Sequence, residues 1–366
     1  MDFLKTIWSL LFRLFPCPTK AGLRRIGHPG RNSPVLVTCN FHLTVKRLVR
    51  ILHGKDVWLL VARSKGINVW CAAGADEFNT HSVVSSIKTS GIDKKVDHRA
   101  VILPPLGAPG VHAGGVREQT GWHVRWGPVR AVDIPAYLDR GCRRERTEKR
   151  VTYNAFERLD TAAGGLFPFY LLGALGFGLF GPSLFFPYLI IGAICFFIFM
   201  LTCPWLPGNK GLTKVLFLEV ILGGVFISGA ILNFDRGMDI RPHVIIAMVM
   251  TALFGTELGG LAPHMKSELD PFLARMGIGA IGNVALAGTV RNELLNGDRE
   301  LVYDSETCIG CRTCAEICPV GVWDFDGVTK KVILSHKDRC TACRACLVQC
   351  STGSIRAPVV GKDPIP

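Results

Sequence analysis

Two runs of cysteine carry the clearest chemistry in the chain. Cys308-x2-Cys311-x2-Cys314-x3-Cys318-Pro319 recurs as Cys340-x2-Cys343-x2-Cys346-x3-Cys350, followed by Ser351 where the first run has proline. Thiolates are soft donors suited to transition metals. Repeated Cys-x2-Cys also suits zinc, but the third cysteine and the x3 step are the spacing of 4Fe-4S ligands. Eight of the 14 cysteines fall in this stretch. Such crowding is metal-ligand spacing rather than a disulfide pattern, and it points to a reducing, cytoplasmic setting.

A further cysteine, Cys71, stands in Asn68-Val69-Trp70-Cys71-Ala72-Ala73-Gly74. It follows an apolar, strand-like run from Val57 to Ala62 and precedes a helix candidate with Val83, Val84 and Ile87 as its apolar positions. Between a strand end and a helix start, backbone N–H groups and the helix dipole favour the thiolate. Taken alone, such a cysteine is more often a small packed residue. Cys17, Cys39, Cys142, Cys195 and Cys203 are read as structural, Cys39 being the one near the expected site.

The elements that must position Cys71 run from about Ser33 to Gly141. Strands are expected at 35–38, 57–62, 101–103 and 123–126, and helices at 43–52, 81–90, 116–120 and 135–140. Apolar strands alternating with helices predict an α/β, Rossmann-like domain with a mainly parallel sheet over 29–150. Ligands in such sheets sit beyond the carboxyl ends of the strands. Cys71 follows the second strand there, and Leu106-Gly107-Ala108-Pro109-Gly110 follows the third. Gly107 and Gly110 would let backbone approach a flat ligand closely.

The rest of the chain reads as membrane-associated. Apolar segments at 166–180, 184–201, 212–233 and 244–261 each approach the roughly 20 residues a span needs. A fifth, at 276–290, is short and Gly-rich. Lys plus Arg (42) exceed Asp plus Glu (29), and the densest basic run, Arg140 to Arg150, lies just ahead of the first apolar segment. That placement fits the positive-inside rule and anionic lipid. A nucleic-acid partner is not expected, because no basic face interleaved with aromatics is found. Residues 1–28 open with helically spaced apolar residues, too short a stretch to span and suited to an interfacial helix. Glu219 and Glu257 are intramembrane carboxylates, which usually serve a site, but both lie near span ends, where snorkelling removes the cost. The fold expected is a multidomain membrane protein. It has the amphipathic segment, the α/β domain, four transmembrane helices over 160–295 and an α+β two-cluster domain over 300–358, with both soluble domains facing the cytoplasm.

The heptapeptide around Cys71 resembles the cap-helix motif of the mercury-methylation corrinoid protein. The resemblance extends to Asn32–Thr38, His98–Gly110 and Trp126–Arg130. More distantly, the domain is similar to the corrinoid domain of the corrinoid iron–sulfur protein of acetyl-CoA synthesis. The resemblance implies a cobalamin-type corrinoid whose cobalt is ligated by Cys71, with Asn68, Trp70 and Gly74 shaping that segment and Gly107 and Gly110 on the cofactor face. The C-terminal segment resembles a bacterial-type two-cluster ferredoxin. In that fold the fourth cysteine of each run crosses over. Cys308, Cys311, Cys314 and Cys350 would hold one 4Fe-4S cluster, and Cys340, Cys343, Cys346 and Cys318 the other.

Together these imply a corrinoid methyl carrier. Its cobalt is reduced by its own ferredoxin domain, fed by a low-potential electron donor, and it takes methyl from a donor such as a methylated pterin or its methyltransferase. The acceptor departs from the mercury pattern. Ala75-Asp76-Glu77-Phe78 replaces the Lys-Gly-Thr-Phe of that family, and Ser351 to Pro366 contains no further cysteine. An acceptor other than mercury is therefore expected, with mercury methylation as the alternative. A membrane-bound ferredoxin without corrinoid is the competing class. His42 and His112 are the histidines placed to line a corrin face.

Overall fold

The computed structural model describes residues 2–13, 15–151, 154–202, 205–206, 211–232, 241–259, 301–340 and 343–356. They fall into two compact units. One combines the sheet domain with the C-terminal segment, and the other holds the long helices.

The first unit is built on a five-stranded sheet of β1 (Gly22–Ile26), β2 (Val35–Cys39), β3 (Val57–Ala62), β4 (Ala100–Leu103) and β5 (His123–Trp126), in the order β1-β3-β2-β4-β5. The pairs β2–β3, β2–β4 and β4–β5 are parallel, and β1 runs antiparallel to β3. Every residue of β2 is buried and only Trp58 of β3 is partly exposed. Both strands are therefore the continuous apolar runs that a sheet covered on both faces requires. Helices α2 (His42–Ile51), α3 (Val69–Gly74), α4 (Thr80–Ser90), α5 (Ala113–Thr120) and α6 (Ile134–Asp139) complete the domain. Leu36, Leu48, Leu52, Leu59, Val61, Ile102 and Tyr137 form one core.

Two boundaries differ from expectation. The sheet begins before residue 29, because β1 joins it as an edge strand. Its sequence, Gly-Leu-Arg-Arg-Ile, lacks the apolar run that marks β2, β3 and β4, since an edge strand buries only part of its surface. Cys71 lies inside α3 rather than in a loop. The chain passes from β2 to β3 on one side and returns to β4 on the other. The carboxyl ends of β2 and β4 therefore form the switch point at which ligands bind in open α/β sheets.

The helix α1 (Asp2–Leu11) fits the expected amphipathic segment, with Phe3, Leu4 and Trp8 exposed. The second unit contains α7 (Ala155–Phe180), α8 (Phe185–Thr202), α9 (Gly211–Leu232) and α10 (Arg241–Gly259), at the four apolar segments. Among the described residues, one stretch, Pro182–Thr202, is long and apolar enough to cross a membrane by length and composition. Shorter apolar runs lie at Tyr170–Phe180 in α7, Leu216–Val225 in α9 and Arg241–Ala252 in α10. The apolar segment at 276–290, Cys203 and the Glu257 side chain lie outside the described residues.

The C-terminal segment is a repeat. Each half places a short helix after its second cysteine: α11 (Thr313–Ile317) and α12 (Ala345–Gln349). Arg312 and Arg344, the residues before these helices, both adopt φ 63°. Two small antiparallel ladders, β6 (Val302–Tyr303) with β9 (Ile355–Arg356) and β7 (Trp323–Phe325) with β8 (Val332–Leu334), close the α+β fold.

Candidate metal centres

Cys71 is presented by a rigid local device. Asn68 caps α3, its Oδ1 accepting from the Cys71 backbone N–H at 3.0 Å. The same side chain turns its Nδ2 to the Cys71 sulfur at 3.2 Å. One amide therefore fixes the backbone and offers an N–H to the thiol, an arrangement that favours its anionic form. Cys71 and Trp70 are half-buried. The thiol is thus reachable, and it is the kind of soft donor that a low-valent metal prefers.

The segment leading into α3 is held by residues that the sequence did not single out. Asn40, at the carboxyl end of β2, is buried. Its Oδ1 accepts from Ser64 N, Ser64 Oγ and Gly66 N, each at 2.9 Å. Ser64 Oγ in turn lies 2.9 Å from the Ile67 carbonyl. Gly66, at φ 76°, lies where a Cβ would strike Pro18. Only glycine fits that turn.

Gly107 and Gly110 converge on the Cys71 helix, as their place on the rim requires, but their freedom is spent inside the protein. A Cβ at Gly107 would meet the Phe78 ring at 2.9 Å and Val69 Cγ1 at 3.4 Å, and one at Gly110 would collide with the Phe78 carbonyl and Ala73. The glycines thus let the loop after β4 pack directly on α3. Phe78, fully buried, is the wedge between them. His112 is a helix cap, its Nδ1 accepting from Gly115 N at 3.1 Å. His42 is buried beside Thr6 and Asp2. Cys39 is wholly buried, and burial pushes its thiol up. Each of the three thus has a structural placement.

The cysteine runs fold into two groups. Cys308, Cys311, Cys314 and Cys350 line one cavity together with Tyr303, Ile309 and Arg312. Cys346 lies within electrostatic reach of Cys343, Cys318 and Cys340, and that proximity adds to burial in pushing its thiol up. Burial likewise drives the Cys314 thiol up to about 12. Buried thiolates gathered this way repel one another, so the arrangement calls for a cationic core between them. Among the described residues no three His, Cys, Asp or Glu side chains close on a single ion. The thiols of Cys308, Cys311, Cys314 and Cys350 surround one space, and the Cys-x2-Cys-x2-Cys-x3-Cys spacing of both runs fits a polynuclear cluster better than zinc.

The geometry thus joins a doubly wound sheet with a thiol at its ligand rim to a segment with two groups of thiols. Residues 14–138 match the family model for the CO dehydrogenase/acetyl-CoA synthase delta subunit, and residues 307–354 match the 4Fe-4S dicluster domain. The chain is similar to the acetyl-CoA decarbonylase/synthase complex subunit gamma of Methanopyrus kandleri, 35% identical over 127 residues, and to that of Archaeoglobus fulgidus, 32% identical over 127 residues. Each alignment covers 34% of this chain and 27% of the relative, so the chain spans about a quarter of the length of these relatives. The matches support a fusion of a corrinoid-protein domain of the acetyl-CoA synthesis type with a 4Fe-4S dicluster domain. The likeness to mercury methylation rests on the Cys71 heptapeptide and its flanking segments.

Proposed function

We propose that this chain is a membrane-anchored corrinoid methyl-transfer protein whose cobalt is ligated by Cys71 and reduced by its own two 4Fe-4S clusters. The observation that carries the reading is the Asn68-held thiol of Cys71 on the ligand rim of a corrinoid-protein domain that shares one compact unit with two cysteine cradles. A bound corrinoid would supply a metal that takes up a methyl group when reduced and hands it on.

The chain's own residues do the rest. Asn68 orients the Cys71 thiol and favours its thiolate, while Asn40, Ser64 and Phe78 hold the helix that carries it. Cys308, Cys311, Cys314 and Cys350 form one cluster cradle, and Cys318, Cys340, Cys343 and Cys346 form the other. A reductant on the same chain raises its effective concentration at the rim. Ala75-Asp76-Glu77-Phe78 after the Cys71 helix departs from the mercury-methylation pattern, so the reading takes an acceptor other than mercury.

Membrane anchoring is supported by the long helices. On α8, Phe186, Ile190, Ile194 and Phe197 face outward, each more than half exposed, and only 22% of the apolar window of Pro182–Thr202 is buried. A core helix of a water-soluble protein buries most of such a surface. The reading takes α7 to α10 as four spans, with lipid covering these faces and both metal-bearing domains in the cytoplasm.

The test is anaerobic purification in detergent with metal analysis and optical spectra, comparing wild type with Cys71→Ala. The proposal expects about one cobalt after reconstitution with cobalamin, about eight irons, and a corrinoid spectrum altered by Cys71→Ala. Iron without cobalt after that reconstitution would leave a membrane ferredoxin.

A further inference from the structure

The two halves of the ferredoxin segment are alike in sequence but not in surroundings. Cys311 is exposed. Cys343, its counterpart in the second run, packs with Trp126 against a small buried group of Ala108, Ile317 and Ala345. Ala108 belongs to the loop after β4 and Trp126 ends β5, so the Cys343 side of the segment faces the rim of the sheet domain. That loop packs on α3 through Gly107, which approaches Val69 and Phe78, and Gly110, which approaches Ala73.

One side chain makes most of the polar contact at this junction. Gln349, 7% exposed, gives its Nε2 to the Val111 carbonyl at 2.6 Å and to the Ala108 carbonyl at 3.0 Å. Its Oε1 accepts from Ala113 N at 3.1 Å. In the repeat, Gln349 stands where the first run has Ile317, each residue directly preceding the fourth cysteine of its run. Both lie against Ala108, Ile317 in an apolar group and Gln349 through a hydrogen bond. A symmetric surface would dock equally well in either orientation. Hydrogen bonds on one side and an apolar contact on the other remove that ambiguity. A second asymmetric contact agrees. Glu316 pairs with Arg144 at 2.8 Å and Lys149 at 2.6 Å, whereas its counterpart in the second run is Val348.

We propose that the ferredoxin segment is docked as a polarised wire, with Gln349 as the positioning residue that fixes its direction. The cluster held by Cys318, Cys340, Cys343 and Cys346 faces the sheet domain and delivers electrons to it. The cluster held by Cys308, Cys311, Cys314 and Cys350 faces outward at Cys311 and receives them. One electron moves at a time. A low-potential one-electron carrier is oxidised at the Cys311 side and the cobalt at the rim is reduced, with no atom or proton transferred. The proposal rests on the corrinoid reading above and adds the route and its gatekeeper.

The test uses the full chain in detergent, reconstituted with cobalamin and reduced with titanium(III) citrate. Gln349→Ala should leave the iron content unchanged while slowing reduction of the bound cobalt roughly tenfold or more, since two buried carbonyls and one N–H lose their partner. The Ala113 amide should exchange faster by a similar factor. In wild type the paramagnetic cobalt should show relaxation enhancement from the nearer reduced cluster. Cys311→Ala should preserve that coupling and Cys343→Ala should abolish it. Unchanged cobalt reduction in Gln349→Ala, or coupling lost in Cys311→Ala and kept in Cys343→Ala, would overturn the proposal while leaving the corrinoid reading intact. A chain that binds no corrinoid would refute both.

Discussion

Replacing Asn40 with alanine is the sharpest probe of how the Cys71 helix is held. Asn40 touches no part of that helix, yet its carboxamide takes three hydrogen bonds from the turn that feeds it. Its Nδ2 also donates to the Thr19 carbonyl at 3.3 Å. After truncation Ser64 Oγ keeps the Ile67 carbonyl, so the groups stranded are two buried backbone N–H groups and one carbonyl. At the low end of the cost for an unsatisfied buried group, about 1 kcal/mol for each N–H and less for the carbonyl, the turn loses about 2–3 kcal/mol. By the usual conversion this is a roughly 30- to 150-fold rise in local opening. Hydrogen exchange in detergent would show it as faster exchange at Ser64 and Gly66, with the amides of β3 unaffected. Cobalamin should bind more weakly as well, because the thiol is no longer preorganised. If Ser64 and Gly66 exchange as slowly in Asn40→Ala as in wild type, the turn is held by something else and the argument for a clasp fails.

Asn68→Asp keeps the cap on α3 but removes the N–H aimed at the Cys71 sulfur and adds a negative charge beside it. Alkylation of Cys71 in the cofactor-free protein should slow roughly three- to tenfold with the helix intact, and an unchanged rate would deny the amide any part in activating the thiol. Glu316→Ala leaves Arg144, whose side chain is 8% exposed, without the carboxylate that opposes the effect of burial on its guanidinium. Because Glu316 is itself partly exposed, the loss should be about 1–2 kcal/mol, read as quicker proteolysis between Arg140 and Val151. Burial holds the His42 imidazole below its ordinary range; Asp2 pulls it up while Lys46, Lys5 and Arg24 push it down. The unfolded chain therefore takes up its proton first. Stability from this site is present above about pH 6.5 and is lost as pH falls through the lower folded value. Melting temperatures across that range should decline in wild type and flatten in His42→Gln.

The parallel strands were legible because β2, β3 and β4 are continuous apolar runs and β5 alternates His123 and Arg125 with Val124 and Trp126. Val57–Ala62 and His123–Trp126 fall where they were expected. The strand β1 was not legible, since Arg24 and Arg25 interrupt it and only pairing with β3 makes it a strand. The two cysteine runs could be recognised from their spacing, whereas the exchange of Cys318 and Cys350 between the groups was implied by the ferredoxin resemblance. Asn40 and Gln349 left no such trace. A lone amide becomes a clasp only when distant backbone groups present their N–H and C=O to it. The same holds for Gly107 and Gly110. Their position on the rim could be read, but the body they admit, Phe78, could not, because Phe78 comes from another loop.

The loop after β4 is where these devices meet. On one side Gly107 and Gly110 seat it against the helix of Cys71; on the other, Ala108, Val111 and Ala113 receive Gln349. A loop pinned on both faces by buried hydrogen bonds and close glycine contacts has little freedom to rearrange. The distance between the Cys343 side of the ferredoxin segment and the rim is therefore fixed by the fold rather than found by diffusion. A tethered but undocked ferredoxin would gain only the effective concentration its linker allows. Docking through Gln349 and Glu316 goes further, holding the Cys343 side of the segment against the loop after β4.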